Sequence, residues 1–317
     1  MPIVVDAHCD TAYLLMHQDK FNYDFWQLNS AGHIDFPRMQ SGGVDVQFFA
    51  VCTEYLKTSK IDYYRSAVKM INILKSTFLQ NPSKIAVIMD KASLKQALRQ
   101  QKKAAILAIE GGAPLQGNIH LLDKFVHLGI RVFGLTWNKK NELADGTGIK
   151  NPGGLTPFGK KVVRKLNELG VIIDCAHLAA KGLEEVACIS KDPFIVSHAN
   201  AYRLCPHPRN LTDEQLRILS QKKGVVGLSF YPDFIAVDKA NLDKLLDHFV
   251  HIASVAGTES LGVGSDFDGI KRTLPEIPDV SFYYRLIKGL EKKGFSDKEL
   301  ECILGANFLR VMEQVWP

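Results

Sequence analysis

Eight short apolar or β-branched runs, separated by amphipathic stretches along 317 residues, constrain this chain more than any other feature. The pattern predicts strands near Ile3–His8, Val44–Cys52, Ala104–Glu110, Ile130–Thr136, Val171–Cys175, Phe194–Ser197, Val225–Phe230 and Leu261–Asp266. Several are apolar nearly throughout, as parallel strands buried on both faces must be. Between them, Tyr63–Leu79, Phe158–Leu169 and Leu242–Ala256 repeat apolar residues at three- and four-residue steps, the period of a helix with one buried side. A further helix is expected over Leu211–Leu219. Thr212 with Gln215, and Ser296 with Glu299, have the spacing of capping boxes. Gly170 and Gly224 stand where helix C-cap glycines belong. Strand and helix alternating eight times over this length predict a (β/α)8 TIM barrel, an α/β fold, with a doubly wound sheet as the alternative. No Pro/Gly/Ser linker or low-complexity tract divides the chain, so one domain over residues 1–317 is expected. The region Asp19–Phe36 fits neither period and reads as a loop insertion after the first strand.

Composition narrows the class of partner. At 46% hydrophobic residues the chain has material for a sizeable core. Its net charge of +5 is spread among interspersed acids and bases, so nucleic-acid binding is not indicated. Six widely spaced cysteines without a Cys-x-x-Cys pair read as buried, reduced thiols. Neither a signal peptide nor a stretch of membrane-span length is visible, which leaves a cytoplasmic protein with no membrane partner as the expectation.

The predicted strands end on polar residues. The first gives His8 and Asp10, with Cys9 between them; on a strand, alternate side chains share a face. The third ends on Glu110. The fifth runs through Asp174 to His177, the sixth ends at Ser197-His198, and the eighth at Asp266-Phe267-Asp268-Gly269. In a barrel these C-terminal ends share one rim, where barrel active sites are built. Taken singly, each residue has a plain structural role open to it: a turn carboxylate, a core histidine, a helix cap. Asp174, inside its strand, is better placed to hold a neighbour than a metal. Together, three imidazoles and several carboxylates suit two Zn²⁺-like ions bridged by a carboxylate and a water. The same ligands also suit Mn²⁺ or Co²⁺. The other histidines fall in loops or helices, His207 being the least certain because Arg209 lies beside it.

Nearly end to end, the chain resembles the membrane dipeptidase (renal dipeptidase) family of metal-dependent hydrolases. The resemblance is carried by Val5-Asp6-Ala7-His8-Cys9-Asp10, Gly154-Leu155-Thr156-Pro157-Phe158-Gly159, Leu169 through His177, Ser197-His198-Ala199-Asn200-Ala201-Tyr202, Gly264-Ser265-Asp266-Phe267-Asp268-Gly269 and Gly305 through Val311. It implies a (β/α)8 barrel that holds two zinc ions and cleaves dipeptides. By motif match, His8 and Asp10 would bind one zinc, His177 and His198 the other, and Glu110 would bridge them. Asp266 matches the catalytic acid/base, whereas Asp268 matches a residue without that role. Arg209 stands where an arginine contacts the substrate carboxylate, with Arg203 a weaker candidate. Dimers are common in the family, so a homodimer is an expectation.

Two positions depart from the animal enzymes of that family. Their Leu-Thr-His after the fourth strand reads Leu135-Thr136-Trp137-Asn138 here, and their pocket tyrosine after the seventh strand falls on Phe234. Trp137 donates through its indole N–H but cannot accept or carry a proton as an imidazole does. Asn138 or Asn141 is expected to supply a polar contact instead. In the mechanism the resemblance implies, a water activated between the metals attacks the peptide carbonyl, Asp266 moves the proton to the leaving amine, and Arg209 holds the free carboxylate. The rival readings are another metal-dependent amidohydrolase activity on the same barrel, such as hydrolysis of an N-acyl amino acid or a lactone, and a metal-binding scaffold whose catalysis has lapsed. A glutamate as candidate bridge, where many such barrels use a lysine, favours the dipeptidase.

Overall fold

The computed structural model describes residues 2–54 and 62–317. Among these, nine parallel strands occur: β1 (Val5–Cys9), β2 (Val46–Cys52), β3 (Ile85–Val87), β4 (Lys103–Glu110), β5 (Ile130–Gly134), β6 (Ile172–Asp174), β7 (Ile195–Val196), β8 (Val225–Leu228) and β9 (Leu261–Val263). Hydrogen bonding runs β2-β1-β9-β8-β7-β6-β5-β4. A further pairing of β2 with β4, from Val46↔Ala104 to Cys52↔Glu110, closes these eight into the expected barrel. The ninth strand, β3, has no counterpart in the sequence reading. It is three residues long and pairs only with Lys103–Ala105 of β4, on the edge that β5 takes over from Leu107 onward.

Alternate strand residues explain the two cores. Val5, Ala7, Phe48, Ile106, Val132, Ile172 and Val225 cluster with Phe308, Met312 and Trp316 of the C-terminal segment. That segment closes the N-terminal end of the barrel: Trp316 Nε1 donates to the Arg131 carbonyl at 3.2 Å, at the start of β5. The opposite strand faces, including Phe49, Leu107, Phe133, Ile173 and Leu228, pack against the surrounding helices. Helices Tyr63–Leu79 and Leu242–Ala256 have the predicted bounds, and both predicted capping boxes are formed. The region Asp19–Phe36 is largely irregular, although a four-residue helix, Gln18–Phe21, reaches into its start. Among the described residues, no helix is long and apolar enough to cross a membrane.

Two local features depart from the simple pattern. Gly170 has the positive φ expected of a cap, but before β8 the left-handed residue is Lys223, with φ +55°. Gly224 is needed there for space: a Cβ would stand 2.4 Å from both Leu219 Cδ1 and the Phe194 carbonyl. In β1, Asp6 pairs with Gln47 but Cys9 with Phe49, so three steps on one strand face two on the other. Such a bulge changes which face the following side chain takes. Asp6 therefore accepts from Ser265 N, Ser265 Oγ and Tyr283 Oη at 2.7–2.9 Å, while His8, two residues on, turns to the rim.

Asp6 is fully buried and ties β1 both to the segment after β9 and to the helix Tyr283–Lys292. Asp6→Ala, which strands those donors, is expected to destabilise the protein by about 3 kcal/mol. Urea unfolding measures this, and a change below about 1 kcal/mol would mean the tie contributes little.

Candidate active site

The residues flagged at the strand ends converge on the C-terminal rim. His8 lies in β1 and Asp10 just past it, Glu110 is the last residue of β4, and His177, His198 and Asp266 follow β6, β7 and β9. All six are buried. Glu110 sits at their centre. Its Oε1 lies 2.8 Å from His177 Nε2, 3.6 Å from His198 Nε2 and 3.7 Å from His8 Nε2. His8 Nε2 is 3.3 Å from Asp10 Oδ2, and His177 Nε2 is 3.0 Å from His198 Nε2. Three overlapping groups, His8–Asp10–Glu110, Glu110–His177–His198 and His8–His198–Asp266, each bring their ligand atoms within 4.8 Å of one another.

The donor set fits divalent cations. Glu110 Oε2 is buried without a hydrogen-bond partner among the described residues, apart from the weak thiol donor of Cys52 beside it. Asp10 and Asp266 close on Gly269, where a Cβ would stand 2.1 Å from Asp10 Oδ2 and 2.7 Å from Asp266 Oδ1. Asp266 itself holds φ +65°, a backbone state that non-glycine residues seldom adopt. Two imidazoles and a carboxylate make up one of the overlapping groups, and an imidazole and two carboxylates another, with Glu110 common to both.

Crowding shifts the protonation of these groups. Burial, with Asp10 adding to it and His8 opposing, pushes the Glu110 carboxyl up to about 8. Burial likewise raises Asp266 to about 7, with His8 pulling it down and Asp10 pushing it up. Burial lowers the basicity of His8, but Glu110 and Asp10 together outweigh it and hold the imidazole up at about 10. His177 and His198 are driven well below the usual histidine range by burial first, and by nearby positive groups second. They are neutral imidazoles with lone pairs to offer. Cations would take the place of the protons that His8 and Glu110 hold.

A cavity of about 560 Å³ opens on this cluster, within the range that encloses a small ligand. Its wall includes Trp137, Asn138, Arg209 and Phe234, all four expected from the sequence. Arg209 is buried, donates through Nη2 to the His198 carbonyl at 3.2 Å, and lies over the Phe234 ring at 5.4 Å. Arg203 is exposed and does not line the cavity. Trp137 stands beside His177, with ring centroids 6.1 Å apart. Asn138 also orients that imidazole, since its Oδ1 is 2.8 Å from His177 Nδ1, which leaves Nε2 facing Glu110. Asn141 instead shapes its own turn, bonding to Leu135, Leu143 and Ala144. Asp268 accepts from Thr11 Oγ1 at 2.6 Å and from the His33 backbone N–H, bracing the turn that carries Asp266.

Tyr231 and Lys271 also line the cavity but were not singled out from the sequence. Tyr231 directly follows the predicted strand Val225–Phe230, a position that could have flagged it, whereas Lys271 lies beyond the Gly264–Gly269 motif and only its place in the folded wall reveals it. His207, the histidine left least certain, lines it too.

The sign of the pH dependence without metal follows from these shifts. For Glu110, Asp266 and His8, the folded protein keeps protons that the unfolded chain has released, so stability falls as pH rises toward the folded values. His177 and His198 act oppositely, but only below about pH 6.5, where the unfolded imidazoles take up protons. Chelated protein is therefore expected to lose about 5 °C in Tm between pH 7 and 9, and metal-loaded protein much less. A flat profile for the chelated form in a calorimetric series would contradict the crowding.

Comparisons with known proteins bear on the family and the fold. The model of the membrane dipeptidase family, peptidase family M19, matches residues 1–316. An uncharacterised dipeptidase of Schizosaccharomyces pombe is 32% identical over 98% of this chain and 80% of its own length. The dipeptidase tcpJ of Claviceps purpurea is 30% identical over 98% of this chain and 76% of its own. Among solved structures, a metallopeptidase from Rhodobacter sphaeroides, liganded with a phosphinate mimic of the dipeptide L-Ala-D-Ala, superposes with a TM-score of 0.91. It shares 25% identity and is covered, like this chain, over 100% of its length.

Proposed function

The chain belongs to the membrane dipeptidase family and is a metal-dependent dipeptidase, and we propose that it works as a binuclear zinc enzyme with Asp266 as acid/base and Arg209 as carboxylate anchor. One observation carries the reading: the Nε2 atoms of His177, His198 and His8 lie 2.8, 3.6 and 3.7 Å from one carboxylate oxygen, Glu110 Oε1, in the wall of a cavity of about 560 Å³. His8 and Asp10 would hold one ion and His177 and His198 the second, with Glu110 serving both. Mn²⁺ or Co²⁺ would satisfy the same ligands. The proposal includes one domain over residues 1–317, acting in the cytoplasm as a homodimer.

When bound, the two ions supply Lewis acidity and lower the pKa of water toward neutrality. The rest is done by the chain's own residues. Arg209 presents a planar guanidinium to the free carboxylate of the dipeptide, a fork that an ammonium cannot copy. Phe234 backs that guanidinium and keeps it aimed into the cavity. Asp266, buried beside His8 and His198, takes the proton of the attacking water and delivers it to the leaving amine. Recognition of the free carboxylate by Arg209 favours dipeptides over longer peptides, whose carboxylate lies farther from the scissile bond. Trp137 forms an aromatic wall beside His177 and donates a hydrogen bond at most, with Asn138 as the nearby polar group.

Trp137 also favours a second reading. An aromatic wall in place of an imidazole could redirect the same centre to another amide, such as an N-acyl amino acid. A panel of L-L dipeptides, L-D dipeptides and N-acyl amino acids separates the two, with dipeptide turnover expected to lead.

Asp266→Asn is expected to keep both metals while kcat falls about 100- to 10,000-fold. Metal analysis and steady-state kinetics on one preparation check it, and surviving turnover would remove Asp266 from the chemistry. Arg209→Ala is expected to raise KM for dipeptides about 100-fold, the loss of a buried, two-pronged ion pair. An unchanged KM would move the anchor elsewhere.

A further inference from the structure

The proton on one metal-facing histidine is not free to choose its nitrogen. Asp174, at the end of β6, is buried, and its Oδ1 accepts from the backbone N–H groups of Ala176 at 3.0 Å and Ser197 at 2.9 Å. Its Oδ2 lies 2.5 Å from Ser197 Oγ. Two oxygens that close need a hydrogen between them, and a carboxylate can only accept. The Ser197 hydroxyl therefore spends its single hydrogen on Asp174. Ser197 Oγ is also 2.9 Å from His198 Nδ1, and with its hydrogen committed it can only accept there. Nδ1 must then carry the imidazole proton. His198 Nε2 is left as a bare lone pair, 3.6 Å from Glu110 Oε1 and 3.0 Å from His177 Nε2.

We propose that Asp174 and Ser197 form a buried hydrogen-bond relay that locks His198 in the tautomer able to bind metal, and so set metal retention at the His177–His198 half of the centre. Neither residue touches the metal; both are positioning residues. The inference rests on the reading above that His198 is a ligand. The two halves of the centre differ in consequence. His177 is oriented by a neutral amide, Asn138 Oδ1, whereas His198 is oriented through a hydroxyl by a carboxylate. A carboxylate behind an imidazole raises its basicity as a ligand, which an amide does far less.

Hydrogen-bond polarity makes the test sharp. Asp174→Asn is nearly isosteric, and its Oδ1 can still accept from Ala176 and Ser197. Its NH₂ then points at Ser197 Oγ and donates. The serine hydrogen is released toward His198 Nδ1, the imidazole proton moves to Nε2, and the lone pair leaves the metal position. Ser197→Ala only removes the constraint, leaving both tautomers open. Ser197→Thr keeps the hydroxyl.

Full-length protein is loaded with zinc and titrated with a competing chelator, alongside ¹⁵N NMR of the histidine tautomers in the metal-free state. Wild-type protein and Ser197→Thr should hold the second zinc alike. Ser197→Ala should weaken it about 10-fold and Asp174→Asn about 100-fold, with the first zinc little changed. His198 should show Nδ1–H in wild type and Nε2–H in Asp174→Asn, a change that a merely structural role would not produce. His198→Ala is the control for the ligand reading. If it loses one zinc while Asp174→Asn keeps both at wild-type strength, the relay is wrong and the ligand assignment stands. If His198→Ala itself keeps two zincs, the ligand assignment fails and the relay with it. Should a variant not fold, the wild-type tautomer alone decides: Nδ1–H supports the relay and Nε2–H overturns it.

Discussion

Everything on the rim answers to one electrostatic problem. Glu110 is a buried carboxylate with three imidazoles and two further carboxylates, Asp10 and Asp266, gathered around it. At 4 Å, like charges repel by about 4 kcal/mol even at an effective dielectric of 20, and leaving water adds to that cost. Protons relieve part of it, which is why Glu110 and Asp266 are pushed up to about 8 and 7. Divalent cations relieve it better, because each position already has donors on several sides. The barrel makes the crowding possible: eight parallel strands closed by the β2–β4 pairing bring six residues, far apart in sequence, to one rim.

The surroundings are built to hold that unfavourable cluster in place. Asp6 clamps β1 to the segment after β9, so that His8 and Asp266 keep their spacing. Gly269 leaves room for Asp10 and Asp266 to close on the same point. Asp268 braces the turn that carries Asp266, and Asn138 and the Asp174–Ser197 pair orient His177 and His198. Asp6, Asp174 and Asp268, which do not face the centre, thus spend their hydrogen bonds on the segments and the imidazole that do.

Much of this was legible in the chain, for physical reasons. Runs such as Ala104–Glu110 are apolar on both faces because barrel strands are covered on both, and each is cut off by the first polar residue at the rim. That is why His8, Glu110, His177 and His198 could be picked out one by one and then recognised together. β3 was not legible: three residues, Ile85–Val87, one buried and two half-buried, have no room for a pattern. The strand reading through Asp266 also ran too far, since β9 stops at Val263 and Asp266 turns left-handed. The bulge in β1 was invisible too, as alternation alone puts Asp6 and His8 on one face. Asp174 was read correctly as holding a neighbour, but which neighbour, and with which hydrogen, depends on distances across β6 and β7 that no sequence spacing encodes.

The central claim is that this centre works with two metal ions. Stepwise addition of zinc to chelated protein, with hydrolysis of an L-L and an L-D dipeptide followed at each step, tests it most directly. The account predicts that turnover is absent without metal and reaches its plateau at two equivalents per chain. Dipeptide cleavage that persists in the chelated protein, or a plateau at one equivalent, would contradict it.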